Sequence, residues 1–177
     1  TSCCPAFVEM IEKHFPKLIP NMSRTVSPMT ATARYLKAHH PGAQVVFIGP
    51  CVAKKLEAKK VEDTADFVLT FEELAALFDA RKINLEETGK TEQDGSRMGK
   101  GFAASGGVSG AVSAALDEEN FEMPFSCQRG NGAKECRKAL MGVNAGRFQG
   151  DMIEGMGCRG GWLAGTARIG TIPKVDK

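Results

Sequence analysis

The sequence carries almost no charge bias: 23 Lys and Arg against 21 Asp and Glu leave a net charge of +2. That balance excludes the basic excess a nucleic-acid groove needs, and there is no acidic tail. No apolar run approaches the roughly 18 residues required to cross a bilayer. Nor does a basic leader precede an apolar stretch, so nothing in these residues directs membrane insertion or secretion. Histidine is scarce, and His14, His39 and His40 flank prolines at expected helix ends without forming a metal-spaced pair. Gly106-Gly107 lacks the Lys-Ser/Thr of a phosphate loop, which removes nucleotide binding. Internal repeats and low-complexity tracts are missing too.

What is present describes an ordinary globular chain. Its 177 residues, 42% hydrophobic and 25% charged, suffice for one domain or one lobe of a larger one. Six cysteines do not make a disulfide scaffold in a chain with a good apolar pattern of its own. Reduced thiols and a cytoplasmic, reducing setting are expected. The chain opens inside its own first motif, so residues 1–177 are read as a fragment of a longer domain.

Pro5 suits the first position of a helix, where its missing N–H would have no partner. Phe7, Met10, Ile11 and Phe15 recur at helical spacing until Pro16 ends the run. Ser27-Pro28 opens a second helix, expected to turn Ala31, Tyr35 and Leu36 inward and to end at His40-Pro41. Val45-Val46-Phe47-Ile48 reads as a strand buried on both faces, with Cys51 just past its end. Asp66-Phe67-Val68-Leu69 reads as a second strand. Thr70-Phe71-Glu72-Glu73 has capping-box spacing, and Leu74, Leu77 and Phe78 form the apolar stripe of the helix behind it. Residues 86–101 are expected to form a surface loop. A small-residue helix then runs through Ala111, Val112, Ala115 and Leu116, followed by a helix from Ala133 to Ala145 and a strand at Asp151-Met152-Ile153-Glu154. This order predicts an α/β fold: a layered, mostly parallel sheet flanked by helices.

Three cysteine segments stand out in Gly/Pro-rich surroundings: Thr1-Ser2-Cys3-Cys4-Pro5, Gly49-Pro50-Cys51 and Gly157-Cys158-Arg159-Gly160-Gly161. Thiolates delivered by separate loops to one point suit a soft metal or an iron–sulfur cluster. Cys4 at a helix entrance is placed where the dipole and free amides favour a thiolate. The competing interpretation is three hydrophobic-like core cysteines. Cys127 and Cys136 lack the C-x-x-C spacing of a zinc knuckle and are expected to be core or half-buried thiols.

Taken together, Thr1-Ser2-Cys3-Cys4-Pro5, Pro50-Cys51-x-x-Lys54-x-x-Glu57 and Glu154-x-Met156-x-Cys158-x-Gly160-Gly161 resemble the three signatures of the iron-only ([FeFe]) hydrogenase catalytic domain. Ser27-Pro28 and Ser105-Gly106-Gly107-Val108 are similar to that family's intervening segments. The resemblance implies one lobe of a two-lobed α/β domain whose H-cluster joins a [4Fe-4S] cubane to a two-iron subcluster. It implies that Cys4, Cys51 and Cys158 are cubane ligands and that Cys3 passes protons. By the same resemblance Lys54 donates to a cyanide ligand, Met156 packs beside the two-iron centre, and Ser27 and Glu57 support the site or a proton path. The implied activity is interconversion of protons, electrons and H2. The implied partners are ferredoxin or a similar electron carrier and the rest of the hydrogenase polypeptide; a non-catalytic hydrogenase-like [4Fe-4S] protein for sensing, electron transfer or iron–sulfur assembly is the alternative.

Three departures accompany the match. The third signature of the family continues to a second cysteine that bridges the two parts of the cluster, and here that position is Trp162. Indole offers only an N–H donor. Met29 stands where many members have glutamine after Ser-Pro, and the upstream half of the catalytic domain lies outside this sequence.

Overall fold

Local chemistry starts most of the helices in the computed structural model, which describes residues 1–84 and 96–170. Helix α1 (Pro5–His14) begins with proline behind an extended Cys4 and buries Phe7 and Ile11. A short 3-10 turn, Pro16–Asn21, follows it. In α2 (Pro28–His39) the Ser27 side chain caps by accepting from the Thr30 N–H. Strand β1 (Val46–Ile48) leads through the Cys51 turn into α3 (Ala53–Lys60). Strand β2 (Phe67–Leu69) precedes α4 (Phe71–Ala80), whose Thr70–Glu73 capping box is formed in both directions. After α5 (Arg97–Gly101), Gly106 takes a left-handed φ of 91° to enter α6 (Gly107–Glu118). Strand β3 (Cys127–Asn131), helix α7 (Ala133–Asn144), strand β4 (Met152–Met156) and a 3-10 turn at Gly161–Ala164 complete the order.

The expected layered sheet is not formed. Among the described residues the strands make two separate pairs, β1 with β2 and β3 with β4, each parallel, and helix predominates. Pairs three and five residues long cannot be stacked between helical layers, so each is a local brace. Strand β1 therefore does not bury both faces: Val46 is 45% and Ile48 43% exposed. Strand β3 has no signal in the sequence, because Cys127-Gln128-Arg129-Gly130-Asn131 has neither β-branched residues nor apolar alternation.

The core lies where α1, α7 and β4 meet. Phe7, Ile11, Phe15, Val108, Cys136, Leu140 and Met156 pack with Cys3 and Cys4, and Trp162 lies against this group. Helix α2 turns Met29, Thr30 and Ala33 inward instead of the expected face, and Tyr35 is 61% exposed. The reason is polar: Thr30 joins a buried hydrogen-bond network with α3. The Leu74–Leu77–Phe78 stripe of α4 is not buried among the described residues. Of the expected surface loop, residues 86–95 lie outside the described residues, and Arg97–Gly101 is helical. No described helix is long and apolar enough to cross a membrane.

Candidate metal centre

Cys4 is the N-cap of α1, and its extended backbone (φ −102°, ψ 108°) sends neighbouring side chains to opposite sides. Its Sγ accepts a 3.3 Å hydrogen bond from the Gly157 N–H. Glycine is needed there: a Cβ on residue 157 would stand 2.9 Å from the Ala6 Cβ and 3.7 Å from the Cys4 sulfur. Strand β4 thus brings the Cys158 loop directly onto the Cys4 helix entrance. The Cys51 turn is tied to the same region from the other side. Ala167 N–H donates to the Pro50 carbonyl at 3.1 Å, and a Cβ on Gly165 would sit 2.1 Å from that oxygen.

Burial raises the thiol pKa of Cys51 and Cys158, and in each the proximity of Cys4 adds to the rise. Cys3 is raised in the same way, by burial and then by Cys4. Cys4 is therefore the shared electrostatic neighbour of the other thiols. Among the described residues no three His, Cys, Asp or Glu side chains are grouped to hold a single metal ion.

Cys3 packs in the same core cluster as Cys4. It lines a cavity of about 780 Å³ with Thr1, Ser2, Phe7, Met22 and Val108. Met156 is fully buried in the core beside it.

Lys54 is the unusual residue. It is 1% exposed, and its Nζ donates to Glu57 Oε2 at 2.6 Å, one helical turn along α3. Ser27 Oγ donates to the other carboxylate oxygen, Thr30 Oγ1 reaches the same oxygen at 3.3 Å, and Thr30 shares a 2.9 Å bond with Thr64. Ser27, Thr30 and Glu57 also line a second cavity, of about 570 Å³, with Ser2 and Ser23. The ammonium lies 5.2 Å from the centroid of the Trp162 ring, in cation–π range. Trp162 is held by its backbone N–H on the Ala103 carbonyl at 2.9 Å and by a tilted contact with Phe102. Among the described residues its indole Nε1 is buried without a hydrogen-bond partner, a state that costs roughly 1–3 kcal/mol.

The structure therefore brings Cys4, Cys51, Cys158, Lys54 and Trp162 into one region, with Glu57 and Ser27 behind Lys54 and Cys3 on the wall of the 780 Å³ cavity. One group escapes a reading of the sequence. Thr30 and Thr64 join Glu57 through contacts that no local pattern announces. Cys136, fully buried, donates its S–H to the Gly130 and Met156 carbonyls at 3.3 and 3.4 Å, and burial pushes its pKa up to about 11. It is a satisfied core thiol.

Known proteins resemble this chain in sequence and in fold. The family described as iron only hydrogenase large subunit, C-terminal domain, matches residues 1–166. The chain is 31% identical over 180 aligned residues to iron hydrogenase 1 of Clostridium pasteurianum, covering 88% of this chain and 31% of that protein. A cytosolic Fe-S cluster assembly factor of Kluyveromyces lactis is 38% identical over 98 residues, covering 54% of this chain and 21% of the relative. In fold, the apo [FeFe]-hydrogenase HydA1 from Chlamydomonas reinhardtii superposes with a TM-score of 0.72 at 23% identity, over 97% of this chain and 62% of that one. The chain spans less than a third of the length of these two curated relatives. With the match running through all three cysteine segments, the chain belongs to the family formed by the C-terminal domains of iron-only hydrogenase large subunits.

Proposed function

We propose that Cys4, Cys51 and Cys158 hold a [4Fe-4S] cluster, and that residues 1–177 form one part of a hydrogenase-type domain whose remainder is supplied by further polypeptide. The carrying observation is the Gly157 N–H bonded to the Cys4 sulfur one residue before Cys158, with Cys51 near enough to Cys4 and to the buried Lys54 for both charges to act on its thiol. Three features fit such a group. The donors are free, soft thiols. Lys54 supplies positive charge against thiolates and sulfide. The orphaned Trp162 N–H is a donor without an acceptor.

When bound, the cluster supplies one-electron redox capacity. The residues do the rest. Glu57 fixes the Lys54 ammonium, and Ser27 and Thr30 fix Glu57. Cys3, its pKa raised, keeps its proton at neutral pH on the wall of the large cavity, where it can hand it on. Met156 fills the core behind the site. On this reading the whole protein interconverts protons, electrons and H2 with ferredoxin or a similar carrier, in the cytoplasm, and a two-iron centre requires both the upstream part and a bridging sulfur.

A second reading, a non-catalytic [4Fe-4S] protein for sensing, electron transfer or iron–sulfur assembly, follows from taking Trp162 as the counterpart of the family's bridging cysteine and from the similarity to the assembly factor. Anaerobic reconstitution with iron and sulfide followed by EPR of the reduced chain tests what both share: a cubane signal that Cys51→Ala abolishes. Hydrogen evolution after Trp162→Cys, in a protein carrying the upstream part, selects the first; a stable cubane without evolution selects the second.

A further inference from the structure

Helix α7 divides its residues between two faces. Cys136, Ala139 and Leu140 are buried, while Lys134, Arg137, Lys138 and Met141, spaced i, i+3, i+4 and i+7, share the opposite, exposed face. Behind the helix the chain turns back at Gly146, whose φ is +65°, and brings Arg147 and Phe148 to the same groove, of about 730 Å³.

The positive charge of this groove is unspent. Ion pairs among the described residues all fall between positions 9 and 73, so none includes Lys134, Arg137, Lys138 or Arg147, and no described side-chain hydrogen bond engages them. No acidic side chain lines the groove. The acids that flank it in sequence are committed: Glu135 Oε2 accepts from the Asn131 N–H at 3.0 Å, and Asp151 Oδ2 from the Ser126 N–H at 2.8 Å. A chain with a net charge of only +2 thus gathers four unpaired cations around an apolar floor of Phe148 and Met141, the latter 53% exposed.

We propose that this groove docks an acidic segment of a partner protein, its carboxylates on the four cations and an apolar side chain on Met141 and Phe148. A single phosphate calls for donors that converge on one point. Here three cations are strung along a helix face, over roughly 6 Å of axial rise from 134 to 138, and a fourth comes from another segment. That spread matches successive carboxylates on a polypeptide, and arginine adds the planar fork that a carboxylate accepts in two bonds. A nucleic acid is disfavoured by the chain's overall charge balance. Such a surface steers an acidic partner and fixes its orientation. The groove lies on the outer face of α7 and needs no cluster in order to bind.

The test is fluorescence anisotropy of the 177-residue chain with a labelled peptide of glutamates around one central leucine, at low and at high salt. The expected result is saturable binding that weakens as salt rises. Arg137→Glu with Lys138→Glu should weaken it roughly tenfold or more. Lys59→Glu with Arg81→Glu, an equal change of net charge on α3 and at the end of α4, should change it less than about twofold. Met141→Ser should weaken binding of this peptide and leave unaltered that of one with serine in place of the leucine. Arg137→Gln with Lys138→Gln should give a smaller loss, and replaces the reversed pair if α7 does not fold with it. No binding at low salt overturns the proposal. So does equal weakening by the two charge-reversed pairs, which would make net charge the cause, and so does pyrophosphate or a single-stranded oligonucleotide that binds more tightly than the peptide.

Discussion

A lysine 1% exposed is expensive unless its charge is met, and Lys54 is met by Glu57 at 2.6 Å. Glu57→Gln keeps a carbonyl for Ser27 and Thr30 but turns an uncharged amide toward the ammonium. It should cost the apo protein roughly 3–5 kcal/mol in denaturant unfolding, and Lys54→Met added to it should recover most of the loss. A cost below about 1 kcal/mol would mean the pair is not buried as described. The sequence singles out Lys54, Glu57 and Ser27 through their motif. It does not supply Thr30 and Thr64, whose sequence separation from their partners is 27 and 34 positions. Nor does it reveal that Trp162 lies under the lysine with an unmatched N–H.

At the level of elements, the helix starts are legible because caps are local: Cys4-Pro5, Ser27-Pro28 and Thr70–Glu73 each satisfy free amides within one turn or replace one. The strands are misread because burial depends on what covers them. Val46 and Ile48 have β-branched side chains suited to a sheet interior, but no second layer forms. Helix facing fails in α2 for a related reason, since the hidden side follows the Glu57 network instead of the apolar stripe. The contact that sets the site is α1 on β4. A Cβ on Gly155 would come within 2.4 Å of the Phe7 ring, so Gly155→Ala should destabilise by about 1–3 kcal/mol and reduce iron uptake by displacing the helix that carries Cys4. Gly142→Ala in α7, where nothing lies within 4 Å, is the control and should be neutral or stabilising by about 0.5–1 kcal/mol. Equal thermal unfolding shifts for the two would contradict this packing.

Across the whole molecule, the ion pairs found among the described residues lie within residues 9–66 and at Lys55–Glu73, lacing α1 to α3 through Glu9, Glu12 and Lys60 and tying α2 to the β2 approach through Lys37 and Asp66. Apart from the buried Lys54–Glu57 pair, these are largely exposed and individually weak. Together with the α1–β4 contact they link α1, which Cys4 caps, to α3, which follows the Cys51 turn, while β4 leads into the Cys158 loop. The central claim is that these three sulfurs serve one inorganic centre. Anomalous diffraction at the iron edge, on crystals of the reconstituted chain, tests it most directly. The account predicts a single four-iron peak bonded to Cys4, Cys51 and Cys158; iron bound at Cys127 or Cys136, or at only one of the three, would contradict it.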